Sequence, residues 1–311
     1  MARSRKEKKA APQEERDEVV LSGDLLHASL SDVSRTVDGA SYAFVRLSAV
    51  GKGITVLPEI LSTYIHLRYI DLSNNEIQNM VPLLELPHVL SLNLAHNSIS
   101  DISALAAETC LPSCVALNLS NNSIRSLGSF GLPRLIKLVL DGNPFESFKG
   151  VEHVPETLEQ LSLKSSNLRS LAEFPAAPKL THLSVAQCPI SSLAEVSGLT
   201  SLRSLDATDV HLADYTALKV LLLLPALKEL NVSPPDSQTE KDSFRQEVLV
   251  TLPRLTRLNG TDVSAQEKAK ARQLKLQRKK KQQQQHHPEP PDEWKQDRGE
   301  ESEEGTEVGG E

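Results

Sequence analysis

Apolar residues along this chain fall on a fixed ladder of offsets. Leu67, Ile70, Leu72, Asn75 and Ile77 occupy offsets zero, three, five, eight and ten, and the ladder returns in Val89, Leu92, Leu94, Asn97 and Ile99. Cys114, Leu117, Leu119, Asn122 and Ile124 repeat it, as do Leu135, Leu138, Leu140, Asn143 and Phe145. Further copies begin at Leu158, Leu180, Leu202 and Leu227; they keep the apolar triplet, but Ser166, Cys188, Val210 and Pro235 replace the asparagine. A side-chain amide bridging backbone groups of neighbouring copies is therefore expected in the first half of the array and not in the second.

The step between copies is about 22 residues, which is the period of a solenoid. Within each triplet the apolar and polar alternation predicts a short strand. Between copies, apolar residues at every third position, as in Ile77, Met80, Leu83, Leu86 and Ile190, Leu193, Val196, Leu199, predict a short 3₁₀-like turn on the opposite side. Prolines at 87, 112, 133, 178, 225 and 253 set the approach to nearly every strand. The pattern reads as an α/β leucine-rich-repeat solenoid of the short-repeat subclass, with a curved parallel sheet on the concave side, a C-terminal cap and a projecting helix.

No copy can bury its leucines alone, so both ends require caps. Tyr42, Val45 and Leu47 predict an irregular first strand joined to the array through Gly51 and Gly53, and residues 244–258 predict an amphipathic helix and a last strand. The expected organisation is a basic arm over 1–38, mostly disordered, then the repeat domain over 39–262 with its cap from about 236. A basic helix over 263–286 and an acidic, disordered tail over 287–311 follow.

Residues between the leucines point outward onto the concave face. One column reads Tyr69, Ser91, Ala116, Lys137, Gln160, His182, Ser204, Glu229, and the next Asp71, Asn93, Asn118, Val139, Ser162, Ser184, Asp206, Asn231. The candidate partner-binding residues are Tyr69, Asp71, Asn93, His96, Lys137, Lys164, His182 and Asp206. With mixed signs and no basic stripe interleaved with aromatics, the face argues against direct nucleic-acid binding and for a protein partner.

Catalytic and metal chemistry find no constellation. Cys110, Cys114 and Cys188 lack a second pair of ligands for zinc and read as reduced structural thiols, while His96 and His182 lie too many repeats apart to share a substrate. No cofactor is expected. The first twenty residues are charged and lack the apolar core of a secretory signal, and the run Val220 to Leu224 is far too short to span a bilayer, so a cytoplasmic or cytoskeletal protein without a membrane anchor is expected.

Beyond the cap, Ser264 and Glu267 form a capping-box start. In the helix that follows, Leu274 and Leu276 make no apolar stripe, which predicts projection into solvent, and Lys275, Arg278, Lys279, Lys280 and Lys281 would attract an acidic protein surface.

The segment from Ser62 to Asn75, with its run Tyr64-Ile-His-Leu-Arg-Tyr69, resembles the first regular repeat of the leucine-rich repeat-containing protein 23 family, which are radial-spoke components of motile cilia and flagella. Ser243 to Leu249 and Leu252 to Leu258 resemble that family's terminal segment. The resemblance covers about residues 40 to 280 and implies an axonemal scaffold whose concave face binds other radial-spoke proteins. A basic arm and a basic helix stand where the family carries acidic segments. The cap is also similar to that of other intracellular repeat proteins, which keeps open a nuclear spliceosomal-type binding subunit or a phosphatase-regulating repeat protein.

Overall fold

The computed structural model describes residues 18–212, 214–234 and 241–286. They form one sheet whose strands follow chain order: β1 (Leu30–Arg35), β2 (Tyr42–Ser48), β3 (Tyr69–Asp71), β4 (Ser91–Asn93), β5 (Ala116–Asn118), β6 (Lys137–Val139), β7 (Gln160–Ser162), β8 (His182–Ser184), β9 (Ser204–Ala207), β10 (Glu229–Val232), β11 (Arg257–Leu258) and β12 (Thr261–Asp262). β1 with β2 and β11 with β12 are antiparallel; every other pairing is parallel. The register never slips, so Ile70, Leu92, Leu117, Leu138, Leu161, Leu183, Leu205 and Leu230 stack as one buried row.

Asparagine holds the first half of this stack together. Asn122 donates to the carbonyls of Leu94 at 2.9 Å and Leu119 at 3.0 Å while its Oδ1 accepts from the Ile99 amide at 3.0 Å. Asn97 and Asn143 repeat the arrangement one copy either side. In the second half Ser166 donates to the Leu163 carbonyl of its own turn and lies 3.3 Å from the Cys188 thiol, and that thiol takes up the link between turns with a weaker bond to the same carbonyl at 3.1 Å. Burial pushes the Cys188 thiol up from its ordinary range, as expected of a structural thiol.

One residue before the asparagine position the backbone turns through the left-handed region, at Asn74, His96, Asn121, Gly142, Ser165, Gln187 and Asp209. At Gly142 the close approach is to a side chain: a Cβ would lie 2.3 Å from Oδ1 of Asn121, which would have to move to admit one.

The convex side carries 3₁₀ turns at Glu59–Thr63, Ser103–Ala106, Ala194–Gly198 and Tyr215–Leu223. α1 (Gly23–Ser29) belongs to the N-terminal cap, and α2 (Val81–Leu84) replaces one convex turn. No described residue between Ala107 and Leu193 forms a helical turn. There Phe145, Phe148 and Phe174 pack edge to face, with centroids 6.5 and 4.8 Å apart.

The folded body starts earlier than position 39. Val19 and Leu21 bond to Thr55 and Val56, Ser22 caps α1, and Leu21 and Leu26 are fully buried. β1 then pairs with β2 through a turn in which the Asp38 carboxylate accepts from the Thr36 hydroxyl and the Ala40 amide, and Gly39 takes a positive φ. The spacing of Leu21, Leu26 and Leu30 is irregular, which hides this cap within an apparently polar arm. Of the expected arm, 1–17 lies outside the described residues, as does the tail 287–311.

At the other end α3 (Lys241–Thr251), β11 and β12 cover the last leucines as expected, and α4 (Ala265–His286) follows. α4 does not project. It lies against α3, with Ala271 buried, Leu274 packed on the core, Arg245 bonded to Glu267 at 2.5 Å and Arg278 to both carboxylate oxygens of Glu247. The seam is Glu267, Ala271, Leu274, Arg278, spaced four, three and four, and its contacts come from one small residue, a single leucine and two ion pairs instead of a stripe of large apolar side chains.

Candidate interaction site

The concave columns extend beyond the regular strands. Register places Arg46 of β2 beside Tyr69, and Arg257 of β11 beside Glu229 at the far end. The Arg46 guanidinium lies over the Tyr69 ring at 5.0 Å and is held from the other side by Asp32 at 2.6 Å. Across β1 and β2, Val33 faces Phe44 and Arg35 faces Tyr42, whose ring it covers at 5.9 Å. Tyr42, Val33, Phe44 and Tyr69 are exposed by 68, 60, 47 and 38%. Two aromatic rings, a valine and two arginines thus continue the concave face outward from Tyr69, the composition of an interface hot spot.

The other candidate residues divide into groups that are already satisfied and groups that are available. Asp71 accepts from the amide and hydroxyl of Ser73 at 3.0 and 2.6 Å and from Asn93 at 3.1 Å, so this pair is a strut between adjacent strands. Asp206 accepts from the Thr208 hydroxyl at 2.7 Å and pairs with Lys164 at 3.1 Å. Burial acts to raise its pKa, but the Thr208 and Lys164 bonds outweigh it and hold the carboxyl below the usual range. The Lys137 side chain makes no hydrogen bond or ion pair among the described residues and stands at the junction of two hollows, one lined by Tyr69, Asn93 and Asn118, the other by His182, Ser184 and Asp206. The exposed His182 contacts only the Thr181 hydroxyl, at 2.8 Å.

His96 is placed differently from the rest. It sits in the left-handed row at the turn after β4, 3.3 Å from the Asn121 amide, and belongs to the rim rather than to the strands. Of the basic cluster on α4, Arg278 is consumed by Glu247, leaving Lys275, Lys279, Lys280 and Lys281 exposed. The sequence marks β2 by Tyr42, Val45 and Leu47, but only its register with β3 shows that Tyr42, Phe44 and Arg46 share a face with Tyr69, and only pairing with β1 adds Val33 and Arg35 to it.

Among the described residues no cluster of His, Cys, Asp and Glu could hold a metal ion, and no helix is long and apolar enough to cross a membrane. The arrangement offers a broad, shallow surface with an aromatic–arginine end.

The family model for leucine rich repeats matches residues 87–145, and a model of two such repeats matches 65–107. In Xenopus tropicalis, leucine-rich repeat-containing protein 23 is 31% identical over 83% of this chain and 79% of its own length; the Homo sapiens protein of the same name is 29% identical over 81% and 78%. A solved structure of a TLR13–ssRNA13 complex shares the fold at a TM-score of 0.54 and 22% identity, covering 70% of this chain and 37% of that one. Leucine-rich repeats typically serve as interaction modules without catalysis. With an identity of 31% extending over most of both chains, this chain belongs to the leucine-rich repeat-containing protein 23 family.

Proposed function

We propose that the protein is a non-enzymatic scaffold of the motile axoneme, a radial-spoke component that binds neighbouring spoke proteins through its concave face. The observation that carries the reading is the exposed group of Tyr42, Phe44, Val33 and Tyr69 with Arg35 and Arg46, set at the end of an otherwise small-residue, polar sheet. Aromatic and arginine anchors bordered by polar spacers favour a folded protein partner, because each anchor loses few rotamers on burial while the spacers exclude water. The axonemal setting is part of the proposal and is what the family resemblance implies.

Cell fractionation tests it. The tagged protein should remain on flagellar axonemes after detergent and moderate salt, and Phe44→Ala with Tyr69→Ala should release it without changing its melting temperature. A nuclear or fully soluble distribution of the wild-type chain would overturn the reading.

A further inference from the structure

Basic residues crowd the C-terminal end of the described chain. Between residues 252 and 281 stand ten Lys and Arg against two acids, in a chain whose net charge is −7. Both acids are already engaged, Asp262 by Arg257 at 3.5 Å and Glu267 by Arg245 at 2.5 Å. On α4, Lys268, Arg272, Lys275 and Lys279 are spaced four, three and four and share one flank, beside the seam that faces α3.

Between that flank and the end of α3 lies a groove of about 240 Å³, floored by Leu249, Val250 and Ala271 and rimmed by Arg254, Arg272 and Lys275. The three rim cations are exposed, and none of their side chains bonds to another described residue, whereas Arg245 and Arg278 nearby are bound by Glu267 and Glu247. Like charges held around one groove repel one another, and a ligand of opposite sign relieves that repulsion.

The spacing of the flank selects the ligand further. Its successive cations rise by about 6, 4.5 and 6 Å along the helix. Alternate residues of an extended chain stand about 6.6 Å apart. Carboxylates on every second residue therefore meet successive cations, while a residue between them turns toward the apolar floor. A nucleic acid fits worse, since no aromatic ring lines the groove to stack a base. A membrane surface fits worse too, because Leu276 is the one large apolar side chain that α4 exposes, and a helix lying in lipid needs an apolar face.

We propose that the groove between α3 and α4 docks an extended acidic segment of another protein, with Asp or Glu on alternate residues against Lys268, Arg272, Lys275 and Lys279 and one large apolar side chain on the floor of Leu249, Val250 and Ala271. This site lies at the opposite end of the solenoid from Tyr42 and Phe44 and does not depend on the concave-face reading. A chain with both surfaces joins two partners.

Fluorescence anisotropy of the full-length protein with a labelled synthetic peptide, Ser-Glu-Ser-Glu-Leu-Glu-Ser-Glu-Ser, tests the proposal. The peptide should bind, its affinity should fall as salt rises, and serine in place of its leucine should weaken it severalfold. Arg272→Glu with Lys275→Glu should weaken it by about tenfold or more while the circular dichroism melt persists. Should that variant fail to fold, Arg272→Gln with Lys275→Gln should give a smaller loss in the same direction. Lys280→Gln with Lys281→Gln, on the other side of α4, should change the affinity by less than about twofold. No binding, indifference to the leucine, or equal losses from the two glutamine pairs would overturn the proposal. So would tighter binding of oligouridylate or of phosphatidylserine vesicles, which would assign these cations to nucleic acid or to lipid.

Discussion

Arg278 donates to both carboxylate oxygens of Glu247, at 2.8 and 2.5 Å, and so ties the second half of α4 to the cap helix α3. Glu247 is 21% exposed and Arg278 49%, so solvent weakens the pair and its global contribution is at most about 1 kcal/mol. The local effect should be larger. Arg278→Ala is expected to leave the thermal midpoint within a few degrees of the wild type while amide hydrogens of residues 272–284 exchange much faster, because the buried and ion-paired contacts of α4 at Glu267, Ala271 and Leu274 lie earlier in the helix. Hydrogen exchange read by mass spectrometry checks this; unchanged protection would show that Ala271 and Leu274 suffice to hold the helix.

At the start of α4 the balance depends on pH. Glu267 accepts from Arg245 and from the amide and hydroxyl of Ser264, and the Arg245 bond first, then the Ser264 bonds, lower its pKa from 4.5 to about 2. A carboxylate depressed in the folded state contributes stability that is complete above its unfolded pKa and disappears as pH falls through the folded one. Glu267→Gln should therefore destabilise the protein at pH 6, and its difference from the wild type should shrink as pH drops from about 4.5 toward about 2. Urea unfolding at a series of pH values measures the difference, and a gap that is constant with pH would contradict the assignment.

The asparagine row gives a contrast between the two halves of the solenoid. Asn143 is 1% exposed and serves three backbone groups, so Asn143→Ala leaves the Leu119 and Leu140 carbonyls and the Ile124 amide without that partner. The expected loss is about 2–4 kcal/mol. Ser166→Ala removes one bond to a carbonyl that Cys188 also contacts and a weak contact with the Cys188 thiol, and should cost about 1 kcal/mol. Denaturant midpoints of the two variants decide the order, and equal losses would remove the distinction between the halves.

Periodic features were legible in the sequence because side chains at offsets zero, three and five have one way to face a common core. The strand registers, the asparagine bridges and the cap at 241–258 follow from that constraint. The N-terminal hairpin was hidden because Leu21, Leu26 and Leu30 follow no period, and its exposed face consists of Val33, Tyr42 and Phe44, which as sequence look like buried residues. The course of α4 is not legible for a different reason: a seam of Ala271, Leu274 and two ion pairs carries little hydrophobic signal, and the partner carboxylate of Arg278 lies 31 residues away. On the concave face, identity alone did not separate Asp71, which is fully bonded, from Lys137, which is not.

Neighbouring positions on β6 separate fold from binding. Leu138 is 1% exposed in the stacked row, and Lys137 points into the concave hollows. A carboxylate at 138 would sit among aliphatic side chains with no cation in reach, at a cost of several kcal/mol, so Leu138→Asp should abolish cooperative unfolding of the central repeats. Lys137→Glu changes only a solvated side chain and should leave the melting curve in place while weakening the concave-face partner, which a pull-down from detergent-extracted axonemes would read. Phe44→Ala, at the other end of the same surface, should weaken that partner by a comparable or larger factor, because an exposed ring that becomes covered contributes more than a rim charge. If Lys137→Glu melts like Leu138→Asp, the assignment of strand faces is wrong. If Lys137→Glu and Phe44→Ala both bind normally, the partner lies on another surface, and the basic flank of α4 becomes the one to test.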